Sequence, residues 1–296
     1  DQYGCNTEVS DSIYVTPGPI ANFTSDTVCE GDSTTFTDLS QFTPPLGVEI
    51  QTWLWDFGDG NTSTDQNPTH LYSNAGVYNA VLIVTDTNGC QGYDTNVVIV
   101  DTLPIANFSF TDTICLGDTT FFSDLSVNTS GNINSWQWNF GDGNISTDTN
   151  PYHIYSNPGT YTVTLTVTDD NLCTHTDTQT VIIRPNPIAS FTATTVCVGD
   201  TTELISTSVS DSIYSNIAGT INSWQWNFGD GNGYGNDLDI IQHTYTSDGP
   251  YLVTLIVTDQ YGCNTEVSDS IYVTPGPIAN FTSDTVCEGD STTFTD

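Results

Sequence analysis

The residues able to do chemistry in this 296-residue chain are few in kind and recur at fixed places. His70, His153 and His243 each stand two residues before a tyrosine. General acid–base or nucleophilic catalysis needs such a ring beside a nucleophile or a paired carboxylate. No Ser/His/Asp set, carboxylate pair or metal motif accompanies these histidines, so they read as hydrogen-bonded structural residues. Asp59, Asp142 and Asp230 lie in Gly-Asp-Gly and are expected to brace a turn through their own backbone amides. The run from Asp230 to Asp239 offers Asp230, Asn232, Asp237 and Asp239 as candidate Ca²⁺ ligands. It starts like an EF-hand loop, but Tyr234 takes a ligand position and Ile241 stands where the closing Glu belongs. Apart from that calcium candidate, no cofactor and no catalytic residue is expected, and the chain reads as a non-enzyme.

The remaining reactive groups are cysteines, which come as one fixed pair per repeat and read as disulfides in an oxidising compartment. A metal role is disfavoured, because no Cys-x-x-Cys or paired-His spacing accompanies them. One Arg, no Lys and 36 acidic residues give a net charge of −35. A surface this negative repels phosphate backbones, so nucleic acid and anionic membranes are excluded as partners. No stretch approaches the roughly 20 apolar residues of a membrane span. Aromatics at 11%, placed at fixed repeat positions, argue against disorder. Without Lys no Lys–Asn isopeptide cross-link can form, and the sole Arg184 precedes Pro185, so a trypsin-like protease finds almost nowhere to cut.

Two periods organise these residues. Residues 1–38 and 259–296 are identical, which sets a period of 258 residues. Within it, Pro-Ile-Ala-Asn/Ser-Phe starts at Pro19, Pro104, Pro187 and Pro277. Each unit then carries Cys-x-Gly-Asp (Cys29, Cys115, Cys197, Cys287), and full units add Trp-x-Trp-x-Phe-Gly-Asp-Gly (Trp53, Trp136, Trp224). His-x-Tyr follows, then a strand ending in Val-Thr-Asp with a Cys four residues later. The expected divisions are 1–17 (the end of one domain), 18–102, 103–185, 186–275, and 276–296 (the start of the next). The window is thus expected to be cut from a longer chain, continuous rather than assembled from separate subunits.

Tyr161, Val163, Leu165 and Val167 alternate with threonines, and Tyr78–Val84 and Tyr251–Val257 repeat the pattern. This is the period of a half-buried strand. Trp136, Trp138 and Phe140 point three aromatics to one face. With turn residues every 8–12 positions and no helical period, each unit reads as an all-β, immunoglobulin-like sandwich of seven or so strands.

Here a family resemblance becomes specific. WLWDFGDG, NPTHLY and GVYNAVLIVTD in the first unit, and WQWNFGDG, NPYHIY and GTYTVTLTVTD in the second, resemble the PKD (polycystic kidney disease) domain. The third departs, with IIQHTY, DGPYLVTLIVTD and an insertion at GDGNGYGNDLD. The cysteine-bearing variants are similar to PKD arrays in large bacterial surface and adhesin proteins. That resemblance implies extracellular spacing, adhesion, and protein or carbohydrate contact rather than catalysis.

In such a sandwich the first Cys sits in the A–B turn, where the chain leaves the domain, and the second at the F–G turn of the opposite end. About seven residues of strand separate them, roughly 23 Å, whereas a disulfide needs Cα atoms within about 7 Å. Short linkers bring the end of one domain against the start of the next. The favoured pairing is therefore Cys29–Cys173 and Cys115–Cys263, with Cys90 and Cys197 bonded to neighbouring repeats. The alternative is Cys29–Cys90, Cys115–Cys173 and Cys197–Cys263 within domains. Asn-x-Ser/Thr sequons occur at Asn22, Asn61, Asn107, Asn128, Asn144 and Asn280, and Asp-Ser/Thr-apolar triplets at Thr27, Thr102, Thr113 and Ser212 among others. These are glycosylation candidates; the competing reading is solvent-facing β-formers.

The expected function is structural: an extracellular fibre or stalk of stapled sandwiches, each about 35–40 Å long, whose partners are itself and covalent glycans. The alternatives are an adhesin that binds glycans or proteins through loops such as that of Tyr234, and a spacer attached to an enzyme elsewhere in the chain.

Overall fold

The structure, a computed structural model, describes residues 17–42, 48–111 and 114–295, without the side chains of 234–236. The first sandwich sets the plan. Its strands are β1 (Phe23–Ser25), β2 (Val28–Cys29), β3 (Ser33–Asp38), β4 (Ile50–Asp56), β5 (Thr62–Ser63), β6 (Thr69–Leu71), β7 (Gly76–Asp86) and β8 (Gln91–Asp101). One sheet runs β2-β8-β7-β4-β5 and the other β1-β3-β6. Every neighbour is antiparallel except β2, which leaves the sheet of β1 and lies parallel to the end of β8. That crossing adds an eighth strand to the seven or so expected.

The alternation in β7 decides which face is buried. Ala80, Leu82 and Val84 are fully buried against Phe23, Phe36, Trp55 and Val98 from the two sheets. Trp55 meets Phe23 edge-on at 5.1 Å, and its indole N–H donates to the Asp65 carbonyl at 2.8 Å, so the largest core side chain keeps its polar group satisfied. Trp53 is half-buried and donates to Asp38 Oδ2. The Tyr72 hydroxyl donates to the Phe57 carbonyl inside the core. The glycine after Phe57 is obligatory: Gly58 has φ +80°, and a Cβ there would sit 2.5 Å from the Asn79 carbonyl oxygen.

The second sandwich repeats this order with long strands Gly159–Asp169 and Thr174–Arg184, the third with Gly249–Asp259 and Asn264–Thr274. Where the third departs in sequence, it lengthens strands: Tyr234–Asn236 replaces a two-residue edge and Ile240–Thr244 a two- or three-residue one. It also inserts a 3₁₀ turn, Ser212–Tyr214, capped by the Asp211 side chain. After it, Thr282–Ser283 pairs with Phe294–Thr295 in the register that joins Thr24–Ser25 to Phe36–Thr37, one period earlier.

Candidate functional site

The site this chain builds is the joint between domains. Cys29 pairs in register with Asp101, the last residue of β8, so β2 places it at the downstream end of its sandwich. A tight turn holds it there: the Asp32 N–H donates to the Cys29 carbonyl, and Gly31 between them has φ +94°. Cys115 and Cys197 sit in the same turn, opposite Arg184 and Thr274. The second cysteine of each domain lies at the upstream end, in the turn between the two long strands. There a buried aspartate braces it: Asp86, Asp169 and Asp259 each accept, at Oδ1, the N–H groups two and four residues on, the latter being that of Cys90, Cys173 or Cys263.

Downstream and upstream ends meet, and the cysteines bond across the meeting. Cys29 is joined to Cys173 and Cys115 to Cys263, with Cα–Cα distances of 5.6 and 5.5 Å. The alternative pairing within domains is not formed. Cys29 and Cys90 lie at opposite ends of the 11-residue β8, roughly 36 Å of strand. Among the described residues, Cys90, Cys197 and Cys287 carry no bond.

Around the staples the joints differ. The Asp101 position is Arg184 in the second domain, and this sole cation reaches into the third: Nη1 donates to the Ile217 carbonyl at 2.8 Å, and the guanidinium lies 3.5 Å over the Tyr261 ring. At the first joint Asp101 faces carboxylates instead. Burial, and then the charges of Asp169 and Asp170, push its carboxyl above the usual value. Thr102 bonds Thr129 and Ser130 there, and the Ala106 N–H donates to His175 Nδ1. Sequence reasoning gave Arg184 no structural role and missed the bracing aspartates. For the aspartates the signal was available, as an Asp four residues before each second Cys.

The histidines do structural work. His70, His153 and His243 hold Asp59, Asp142 and Asp230 through Nε2 at 2.7–2.8 Å, with each ring stacked on the Phe of its own Phe-Gly-Asp-Gly. Each aspartate also takes the N–H and side-chain amide of the Asn two residues on. The turn is thus clipped to the sandwich, and among the described residues no Ser, Thr or Cys hydrogen-bonds these rings. The calcium set is corrected. The Asp230 oxygens are taken by His243 and Asn232, the Asp237 carboxylate accepts from Ser223, and Asp239 contributes its backbone carbonyl to Ser206. No group of three or more His, Cys, Asp or Glu side chains suited to a metal ion occurs among the described residues.

The modification candidates separate by geometry. The Asn61 and Asn144 side-chain amides are held by Asp59 and Asp142, and that of Asn128 donates to buried Asp169. Asn22 and Asn107 are exposed, with hydrogen bonds only from their backbone groups. Thr27 and Ser212 are exposed, whereas the Thr102 hydroxyl is engaged at the joint. Thr113 lies outside the described residues, as does the Tyr234 side chain.

The sequence pattern of the PKD domain matches residues 16–100, 101–183 and 184–275. The chain belongs to the PKD domain family. Its PKD domains are 35% identical over 147 residues to a microbial collagenase of Vibrio alginolyticus, covering 44% of this chain and 17% of that protein. They are 35% identical over 124 residues to the pre-pro-metalloprotease PrtV of Vibrio cholerae serotype O1 (strain M66-2), covering 41% and 13%. The chain therefore spans less than a fifth of the length of these curated relatives. Among solved structures, the PKD1 domain of the V. cholerae metalloprotease PrtV is 37% identical, covering 27% of this chain and 96% of that one, with a TM-score of 0.26. The PKD1 domain of Vibrio anguillarum Epp is 35% identical, covering 28% and 95%, with a TM-score of 0.26. No helix among the described residues is long and apolar enough to cross a membrane. The PKD domains here are non-catalytic, in keeping with a spacer-like part of a larger protein.

Proposed function

We propose that this segment is a load-bearing spacer of an extracellular protein, a stalk or fibre in which consecutive PKD domains are locked by disulfides across their joints. One observation carries the reading: both disulfides bond neighbours, the downstream cysteine of one domain to the upstream cysteine of the next. A bond inside a sandwich would stabilise that sandwich alone. A bond across a joint removes freedom between bodies that interfaces of ordinary size leave mobile. It also favours an oxidising, extracellular setting.

Cys197 and Cys90 complete the rule. Cys197 occupies the downstream position of the third domain and Cys90 the upstream position of the first. Because the start of a first-type domain recurs at 276–296, Cys197 has as its partner the Cys90 of the following repeat. The collagenase and metalloprotease relatives support a second form of the same reading, in which the spacer holds an enzyme elsewhere in the chain away from a surface.

Peptide mapping of the oxidised protein tests the reading. The expected species link the peptide of Cys29 to that of Cys173 and Cys115 to Cys263. A Cys29–Cys90 peptide pair would overturn it.

A further inference from the structure

One sandwich face differs from its counterparts in a way the strand does not require. On the outer side of the large sheet in the first domain, Leu54, Val77, Tyr93, Val97 and Ile99 are exposed by 43–69%, and Ile83 bridges Leu54 to Tyr93 across the ladder. The same positions in the second domain are Gln137, Thr160, Thr176, Thr180 and Ile182, with Thr166 for Ile83. In the third they are Gln225, Pro250, Glu266, Ser270 and Tyr272, with Ile256 for Ile83. Threonine satisfies a pleated, half-exposed strand as well as valine does, as the second domain demonstrates. The hydrocarbon of the first domain is therefore surplus to folding. Carboxylates reach the face only at its rim, at Asp56 and Asp101.

We propose that this face is a lateral contact between copies of the chain, packing against the same face of a second copy. The occupant follows from charge, area and period. Two chains of net charge −35 repel, and the least repulsive place for them to touch is an uncharged face. Three strands of up to 11 residues present about 500 Å² per copy. A face-to-face pair thus buries about 1,000 Å², at the lower limit of a specific interface, and is weak alone. The first domain recurs every 258 residues in the proposed fibre, so the spacing of faces on one chain matches that on another. Weak contacts then add as a multivalent array. This inference rests on the repeating spacer proposed above.

Sedimentation of the oxidised 296-residue protein across concentration, at low and high salt, is the test. The mass is expected to rise from 32.0 kDa toward a dimer with concentration, and further at high salt, where charge repulsion is screened. Ile83→Thr, Tyr93→Thr and Val97→Thr together install the second domain's residues and are expected to weaken self-association about tenfold or more. Methyl signals of Val77, Val97 and Ile99 in the unmutated protein are expected to shift with concentration, a readout independent of whether the variant folds. A monomer at every concentration and salt overturns the proposal, with the face then left to another partner or to none. So does a folded triple variant that associates unchanged, or concentration-dependent shifts confined to other faces. Mapping the disulfides in the same samples separates the two ideas: intact staples without association sink this inference alone, whereas absent staples sink the spacer.

Discussion

Pulling the chain from its ends should release far less length than its size suggests, and the amount identifies the disulfide scheme. Without disulfides, unfolding frees all 234 residues between Cys29 and Cys263. At about 3.5 Å per residue this is about 820 Å. With the staples in place, force has two short covalent routes. One follows the backbone for the 86 residues from Cys29 to Cys115 and crosses to Cys263. The other crosses at once to Cys173 and follows 90 residues to Cys263. The shorter route sets the limit, about 300 Å. Disulfides within domains would leave only the 25 residues from Cys90 to Cys115 and the 24 from Cys173 to Cys197 free. That scheme gives about 170 Å. Single-molecule force spectroscopy on oxidised and reduced protein separates these three lengths. An oxidised chain that releases close to 820 Å, or close to 170 Å, refutes the reasoning.

In a longer array the consequence sharpens. If Cys197 bonds the next Cys90, load passes from staple to staple through only the 24 residues between Cys173 and Cys197. Fully stretched, these span about 84 Å, while two sandwiches with 11-residue strands occupy roughly 72 Å. Even complete unfolding would then barely lengthen the fibre.

Other outcomes follow from the joints and the clipped turns. Asp101→Asn is expected to raise the melting temperature at neutral pH: a carboxyl whose value is raised on folding costs stability once ionised. The gain should vanish in acid, where wild type is protonated. At Asp59, Asp142 and Asp230, burial pushes the carboxyl up, but hydrogen bonds from the paired histidine and asparagine outweigh it and hold the value below the usual 3.8. Their stability is complete above the unfolded value and lost as pH falls through the lower folded one, so urea midpoints should drop below about pH 4, and less so in Asp59→Asn. Arg184→Ala should speed amide exchange around Ile217 and Tyr261 and leave the first domain unchanged, removing about 1–3 kcal/mol of contact. Reduction should lower the unfolding midpoint, each closed loop of more than 140 residues being worth up to about 5 kcal/mol.

The sandwich was legible because its causes are local. Tyr78, Ala80, Leu82 and Val84 alternate inward, and Trp53, Trp55 and Phe57 precede a turn that only glycine permits. Pairing across the joint could be reasoned from strand length and linker length, quantities a sequence carries. The Arg184–Tyr261 contact was not legible, because it joins residues 77 apart whose meeting depends on how two finished domains pack. The calcium reading failed for a related reason. It took the spacing of Asp230, Asn232, Asp237 and Asp239 as ligand geometry, whereas His243, from a distant strand, already occupies Asp230.

The three joints also account for a period of three domains rather than one. Register places Asp101, Arg184 and Thr274 at one position, each opposite its staple cysteine. The first meets the Asp169–Asp170 pair and the second stacks on Tyr261, so neither would fit the other's neighbour. Identical adjacent domains invite misassembly, in which a strand of one completes the sandwich of the next. Here identity recurs only 258 residues away, and the nearest neighbours differ in strands, faces and joints. A staple between wrong partners would bring Arg184 or Asp101 to a mismatched surface. Varying one residue per joint on an invariant cysteine geometry thus lets one bond chemistry serve an ordered array.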